Sequence, residues 1–214
     1  MENAREGVRK LFLAELIQLI CAGIAFILLL VTNIPGVPDG LKTAAGVIAL
    51  ITTIATLIAF VLKLLGLKIG GEDNKLLNLG FWVVVVGLIV TLIDIIFSIA
   101  NAPELAKQVC EITVNLSEVL VAYLIISGVS QIVAKAGDEK LAKIGRLIAI
   151  LIAVIFATGV VLSALSMFIT PADEVTKTAL IVLSDVGSAL GVIAYVFSFL
   201  YLFKANKLLN EKAN

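Results

Sequence analysis

Six apolar runs, each about 20 residues or longer, make up most of this chain and strongly limit the folds open to it. A helix rises 1.5 Å per residue, so such a run crosses roughly 30 Å of hydrocarbon. The chain is 61% apolar and 15% charged, whereas a soluble domain is about half apolar and a quarter charged. The predicted spans are approximately Leu11–Val31, Ala44–Leu67, Leu76–Ala100, Val109–Val133, Ile144–Ile169 and Ala179–Phe203. The sequence therefore predicts an all-α integral membrane protein with six transmembrane helices in a single membrane domain, 1–214.

A lysine followed by leucine opens three of these runs at a fixed interval. The lysines are Lys10, Lys75 and Lys140, and each is 65 residues from the next. One such unit holds two spans and two polar turns, which predicts three tandem helical hairpins with repeats at approximately 8–72, 73–137 and 138–208. Hairpins in a ring would have pseudo-threefold symmetry around a small central site. Duplication also produces a stable bundle that has no transport role.

The distribution of basic residues predicts the orientation of the helices. All but three of the 16 lysine and arginine residues lie at the chain termini, in the second and fourth loops, or at the adjoining helix ends. The exceptions are Lys42, Lys107 and Lys177. Cytoplasmic loops carry an excess of lysine and arginine. We therefore expect both termini to face the cytoplasm, in a bacterial inner (cytoplasmic) membrane.

A proline followed by an acid recurs in the loops of the opposite side. Pro38 precedes Asp39, Pro103 precedes Glu104, and a looser copy places Glu174 shortly after a proline. Carboxylates stabilise the positive end of a helix dipole. We expect these acids to begin helices, the alternative being that they form an outer gate with the nearby lysines.

Three of the acidic residues inside the predicted spans, Asp94, Glu118 and Asp185, lie several residues in from the outer end of their span. Counting along each helix from its predicted outer end places all three roughly 9–14 Å below the outer surface, in one layer. No lysine or arginine is expected at that depth. Because an acid at mid-membrane costs about 2.5–3.5 kcal/mol, we expect these acids to be protonated, to bind a cation, or to line a water-filled vestibule.

Other polar residues share helical positions with these acids. Glu111 and Asn115 lie seven and three residues before Glu118, so the three form one stripe on the fourth span. A local match between spans places Thr53 and Asp185 at the level of Glu118, whereas an alternative register pairs Glu118 with Ser188. The predicted site for a substrate or cation therefore comprises Asp94, Glu118, Asp185, Glu111, Asn115, Thr53 and Ser188.

Purely structural roles explain the same polar residues. A protonated acid can hydrogen-bond to a neighbouring helix, and serine and threonine often bond back to their own helix. Near the cytoplasmic side, Glu15 and Arg146 are predicted to form a structural ion pair if the first and fifth spans are close. The alternative is that each side chain snorkels to the interface.

The chain contains no histidine, which excludes several catalytic and metal-binding arrangements. Ser-His and Cys-His catalysis, HExxH zinc sites and histidine-ligated haem all need that residue. We expect no enzyme activity, no cofactor, no metal centre and no nucleic-acid partner. The predicted function is a channel or transporter for a small solute or cation. The alternative is a membrane scaffold or accessory subunit that binds lipid or a membrane protein partner.

Overall fold

A computed structural model of the chain describes residues 2–32, 38–100, 103–168 and 174–212, with only the backbone described at 39, 42, 104 and 156 and over 160–168 and 174–189. Across these residues the chain forms six helices and no strand, which confirms the prediction of an all-helical protein. The helices are α1 (Glu2–Thr32), α2 (Asp39–Asp73), α3 (Lys75–Ile99), α4 (Glu104–Lys135), α5 (Glu139–Phe168) and α6 (Glu174–Glu211). Each contains a stretch long and apolar enough to cross a membrane.

The helices extend beyond the apolar spans predicted from hydropathy. Helix α1 begins at Glu2 and not at Leu11, and α4 begins at Glu104 and not at Val109. Charged residues such as glutamate, lysine and arginine favour helix formation, so a helix continues past the end of its apolar run. As expected, α2 and α4 begin at the acids that follow Pro38 and Pro103.

Asn74 forms the turn between α2 and α3. Its side-chain Oδ1 accepts hydrogen bonds from the backbone N–H groups of Leu76 at 2.8 Å and Leu77 at 3.3 Å. Its Nδ2 donates to the Gly128 carbonyl at 3.2 Å and to Gln131 Oε1 at 3.1 Å. Asn74 is only 3% exposed. One buried amide therefore caps α3 and also attaches this turn to α4.

Gly137 forms the turn between α4 and α5. Its φ of 87° lies in the left-handed region, which glycine adopts without the steric cost of a Cβ atom. The N–H groups of Gly137 and Asp138 donate to the carbonyls of Ala134 and Val133, which is a Schellman ending for α4. Asp138 Oδ1 then accepts from Leu141 N at 2.9 Å and caps α5.

The helices contact one another in a closed ring. Each packs against its neighbours in the chain, α6 packs against α1, and α4 also reaches α6. Phe12 of α1 closes the ring through its contacts with Phe199 and Phe203 of α6, with ring centroids 5.7 Å apart in each pair. A ring of this kind does not require duplication, so the three-hairpin repeat stays a prediction.

Three glycines bring α1 and α2 into close contact. A Cβ atom on Gly7 would lie 2.6 Å from the Cα atom of Gly70, and one on Gly66 would lie 2.9 Å from the carbonyl oxygen of Gly7. Small residues allow helix backbones to approach closely. This contact sets the register of the hairpin, in which Glu15 of α1 lies opposite Lys63 of α2.

Large buried side chains concentrate at one end of the bundle. We call this the terminal end, because it holds the start of α1, the Asn74 and Gly137 turns and the end of α6; the opposite end is the loop end. The fully buried apolar side chains at the terminal end include Val8, Leu11, Leu67, Leu77, Ile126, Val129, Ile132, Tyr201 and Leu202. Toward the loop end, most of the described side chains are exposed. The core therefore closes the bundle at its terminal end.

Candidate functional site

A largely buried ion pair between α1 and α2 lies at the centre of the candidate site. Lys63 Nζ is 2.8 Å from Glu15 Oε1 and donates a longer hydrogen bond of 3.5 Å to Gln18 Oε1. Glu15 is only 8% exposed. Side chains on a helix lean toward the N-terminus of that helix. Because α1 and α2 are antiparallel, Glu15 and Lys63 lean toward each other and meet within the bundle.

Tyr195 joins α6 to this pair. Its hydroxyl donates a hydrogen bond of 3.2 Å to the backbone carbonyl of Glu15. Phe12, about one turn before Glu15, packs against the same helix through Phe199. Glu15 is thus held by its side chain to α2 and by its backbone to α6.

Two cavities, each of about 370 Å³, meet at this position. Both are lined by Glu15, Glu118, Ala122 and Tyr195, which form their shared wall. The first extends among α4, α5 and α6, where its walls are mostly apolar. The second extends toward α2 and α3 and contains the polar side chains of Gln18, Lys63, Thr91 and Ser117.

Glu118 differs from Glu15 in having no partner among the side chains that the structure describes. Its side chain is exposed to the cavities, and among the described residues nothing forms a hydrogen bond or an ion pair with it. Glu15, by contrast, is neutralised by Lys63. Within the described part of the chain, the shared wall therefore carries one paired and one unpaired carboxylate.

Asp94 does not lie at the same level of the bundle as Glu118, contrary to the prediction that the three acids form one layer. A Cβ atom on Gly87 would lie 3.4 Å from the Cβ of Ser117, so Glu118 is nearly level with Gly87. Asp94 is seven residues further along α3, which places it about 10 Å nearer the loop end. Residues 104–108 are helical, so Glu118 lies further from the loop end than the start of its apolar span suggested, and it is not level with Asp94.

The other predicted site residues lie away from the shared wall or outside the described residues. Glu111 and Asn115 are exposed on α4, on the loop-end side of Glu118. Thr53 is also exposed, and its hydroxyl donates to the Ala49 carbonyl of its own helix at 2.9 Å. The side chains of Asp185 and Ser188 lie outside the part of α6 whose side chains are described.

The predicted ion pair between Glu15 and Arg146 is replaced by two other pairs. Arg146 Nη2 lies 3.1 Å from Oε1 of Glu139, two turns earlier on α5, and both side chains are exposed. Glu15 pairs with Lys63. Arg146 leans toward the start of its own helix, which directs it away from the centre of the bundle.

Lys63 is absent from the predicted site because its place near the end of an apolar span is typical of the basic residues at helix ends. The expectation that no cation lies at the depth of the acids was therefore wrong, since Lys63 lines the same cavity as Glu118. The signal was available in Gly66 and Gly70, a spacing that favours close helix packing. Pairing these glycines with Gly7 places Glu15 opposite Lys63.

The fold and the site define a class but no family. Six helices long and apolar enough to span a membrane, arranged around a charged cavity, are compatible with a polytopic integral membrane protein. Comparison of the chain with protein families, with curated proteins and with solved structures finds no match. The described residues contain no group of three or more acidic or cysteine side chains placed to hold a metal ion.

Proposed function

We propose that this chain is a polytopic membrane protein that moves a small solute or cation across the membrane through the cavities beside Glu118. The observation that carries the proposal is the carboxylate of Glu118, which lies on the wall between two cavities and has no partner among the described side chains. Ionisable groups at membrane depth are costly and typically mark the pathway of an ion or a substrate. Lys63 and Glu15 set the charge of that pathway.

The packing of the bundle supports a pathway that is closed at its terminal end. Leu11, Leu77, Ile126 and Leu202 are fully or almost fully buried there. Toward the loop end lie the exposed side chains of Glu111 and Asn115, together with Asp94, which is partly exposed. In this proposal these residues, and Asp185 on α6, attract cations to the entrance.

The proposal also includes the orientation of the helices in the membrane and the origin of the three hairpins by duplication. We infer that the loop end faces the exterior of a bacterial inner membrane and that both termini face the cytoplasm. This orientation follows from the excess of lysine and arginine at the terminal end. The three hairpins would then be successive copies of one inserted unit.

A flux measurement tests the proposed function. The full chain is reconstituted in liposomes, and the uptake of Na⁺, K⁺ and methylammonium is measured under an imposed gradient. We expect Glu118→Gln to lower the flux of the transported cation by at least about tenfold, the effect of roughly 1.4 kcal/mol. Glu139→Gln is the matched control, because Glu139 is exposed on α5 and lies outside both cavities.

The outcome separates this function from its alternative. A wild-type chain that moves no solute under any gradient, or flux that survives Glu118→Gln, would reject the proposal. The alternative is a scaffold or accessory subunit that binds lipid or a membrane protein partner. Its support is the apolar outer face of α3, where Leu92, Ile96 and Ile99 are 60% or more exposed. A stable co-purifying membrane protein in the absence of flux would favour that alternative.

A further inference from the structure

We propose that the cavity beside Glu15 and Glu118 binds a small alkylammonium compound, and that Lys63 occupies part of this site when the compound is absent. This inference rests on the proposed function and names its substrate class. Three features of the site support it: the group that Lys63 places there, the local charge, and the chemistry of the walls.

The first feature is that the site already holds an alkylammonium group. The Lys63 side chain ends in a primary ammonium, which lies 2.8 Å from Glu15 Oε1 and 3.5 Å from Gln18 Oε1. An ammonium group has three donors, and the site offers a carboxylate and an amide oxygen on one face of α1. The geometry is therefore suited to an ammonium at the end of an alkyl chain.

The second feature is the charge of the shared wall. With both carboxylates ionised, Glu15, Glu118 and Lys63 together carry one net negative charge. Glu118 has no partner among the described side chains and faces both cavities. One monovalent cation at Glu118 would bring the net charge of the site to zero.

The third feature is that the cavity walls are apolar around these few polar groups. Phe60, Leu88 and Val114 line the second cavity, and Ile152 and Ile155 line the first. A hard metal ion such as Ca²⁺ or Mg²⁺ prefers about six oxygen ligands, and the described residues bring no three acidic side chains together. An organic cation uses the apolar walls for its alkyl portion and needs a single carboxylate for its charge.

Lys63 is then an internal competitor for the ligand. An ammonium bound at Glu118 lies on the same cavity wall as Glu15, so the two positive groups repel each other. Replacing Lys63 by methionine removes this repulsion and frees the Glu15 carboxylate for the ligand. The variant should therefore bind an alkylammonium more tightly than the wild-type chain does.

Calorimetric titration of the purified full chain in detergent micelles tests the inference with n-butylammonium as the probe. We expect saturable binding, and no comparable binding of the uncharged analogue 1-butanol. Glu118→Gln should weaken binding about 10- to 100-fold, the usual effect of losing a hydrogen bond to a charged group. Lys63→Met should tighten binding, and Glu139→Gln should leave it unchanged.

Each outcome decides the inference. Absence of saturable binding, equal binding of 1-butanol, or an unchanged affinity in Glu118→Gln would overturn it. A weaker affinity in a folded Lys63→Met variant would overturn the role of Lys63 as competitor. Amine binding without flux would reject transport and keep the ammonium site. Flux of Na⁺ or K⁺ without amine binding would keep transport and reject the ammonium site.

Discussion

Lys63 Nζ lies 2.8 Å from Glu15 Oε1, so the central charges of α1 and α2 neutralise each other inside the bundle. The pair forms because the two helices are antiparallel and their side chains lean toward one another. Tyr195 adds a hydrogen bond from α6 to the backbone of Glu15. Three helices are thereby joined at the level where the two cavities meet.

The first prediction concerns the stability of this ion pair. Glu15→Gln and Lys63→Met should each lower the free energy of unfolding by about 2–3 kcal/mol, because each leaves one charge without its partner. The Lys63 side chain is 20% exposed, so the effect should be below that of a fully buried pair. The double variant should lose less than the two single variants combined. Unfolding in mixed micelles measures all three, and strictly additive losses would show that the residues do not interact.

The second prediction concerns the close contact between α1 and α2. Gly66→Ala should destabilise the chain by about 1–3 kcal/mol, because the new Cβ atom would press on the backbone of Gly7. Gly46→Ala is the control on the same helix, since a Cβ atom there would meet nothing within 4 Å. That control should be neutral, or more stable by up to about 1 kcal/mol, because alanine favours a helix. Equal melting temperatures for the two variants would contradict the close contact.

The third prediction concerns Asn74. Asn74→Ala should lower stability by about 2–3 kcal/mol, because it removes the cap of α3 and the hydrogen bonds to α4. Asn74→Ser should lose less, since serine retains an oxygen that can cap the helix. The control is Asn78→Ala, one turn further along α3, where the residue is exposed. Thermal unfolding should rank Asn74→Ala lowest, and a different order would contradict a capping role.

The fourth prediction concerns the hydrogen bond between α6 and α1. Tyr195→Phe should lower the free energy of unfolding by about 1 kcal/mol, because it removes only the hydroxyl that donates to Glu15. Tyr123→Phe is the matched control on α4, since among the described residues nothing bonds to the Tyr123 hydroxyl. Denaturant titrations of both variants provide the comparison. A loss in the control as large as that in Tyr195→Phe would mean that ring packing and not the hydroxyl carries the effect.

The helices themselves were predictable from local properties of the chain. Apolar length identifies a potential span without knowledge of any neighbour, and prolines before Asp39 and Glu104 mark two of the helix starts. The ends were less accurate, as α1 begins nine residues before its predicted span. Hydropathy detects where a helix is apolar, whereas helix propensity decides where it stops.

The candidate site was predictable only in part. Glu118 stands out in the sequence as an acid within an apolar span, and it does line the cavities. Its predicted grouping with Asp94 was wrong, because depth was counted from the end of each apolar run and not from the contact between α3 and α4. The prediction that Glu15 pairs with Arg146 was wrong for a related reason. The charge of a residue and its position along one helix do not specify which residue of a neighbouring helix it will meet.

The sequence by itself determined that the chain forms long apolar helices with isolated acids along them, because hydropathy and helix propensity act within each segment. Only the tertiary structure decided that Glu15 meets Lys63, that Glu118 lines both cavities and that Asp94 lies nearer the loop end. These relationships depend on the register between helices. That register is set by contacts such as those of Gly7 with Gly66 and Gly70, which join residues far apart in the chain.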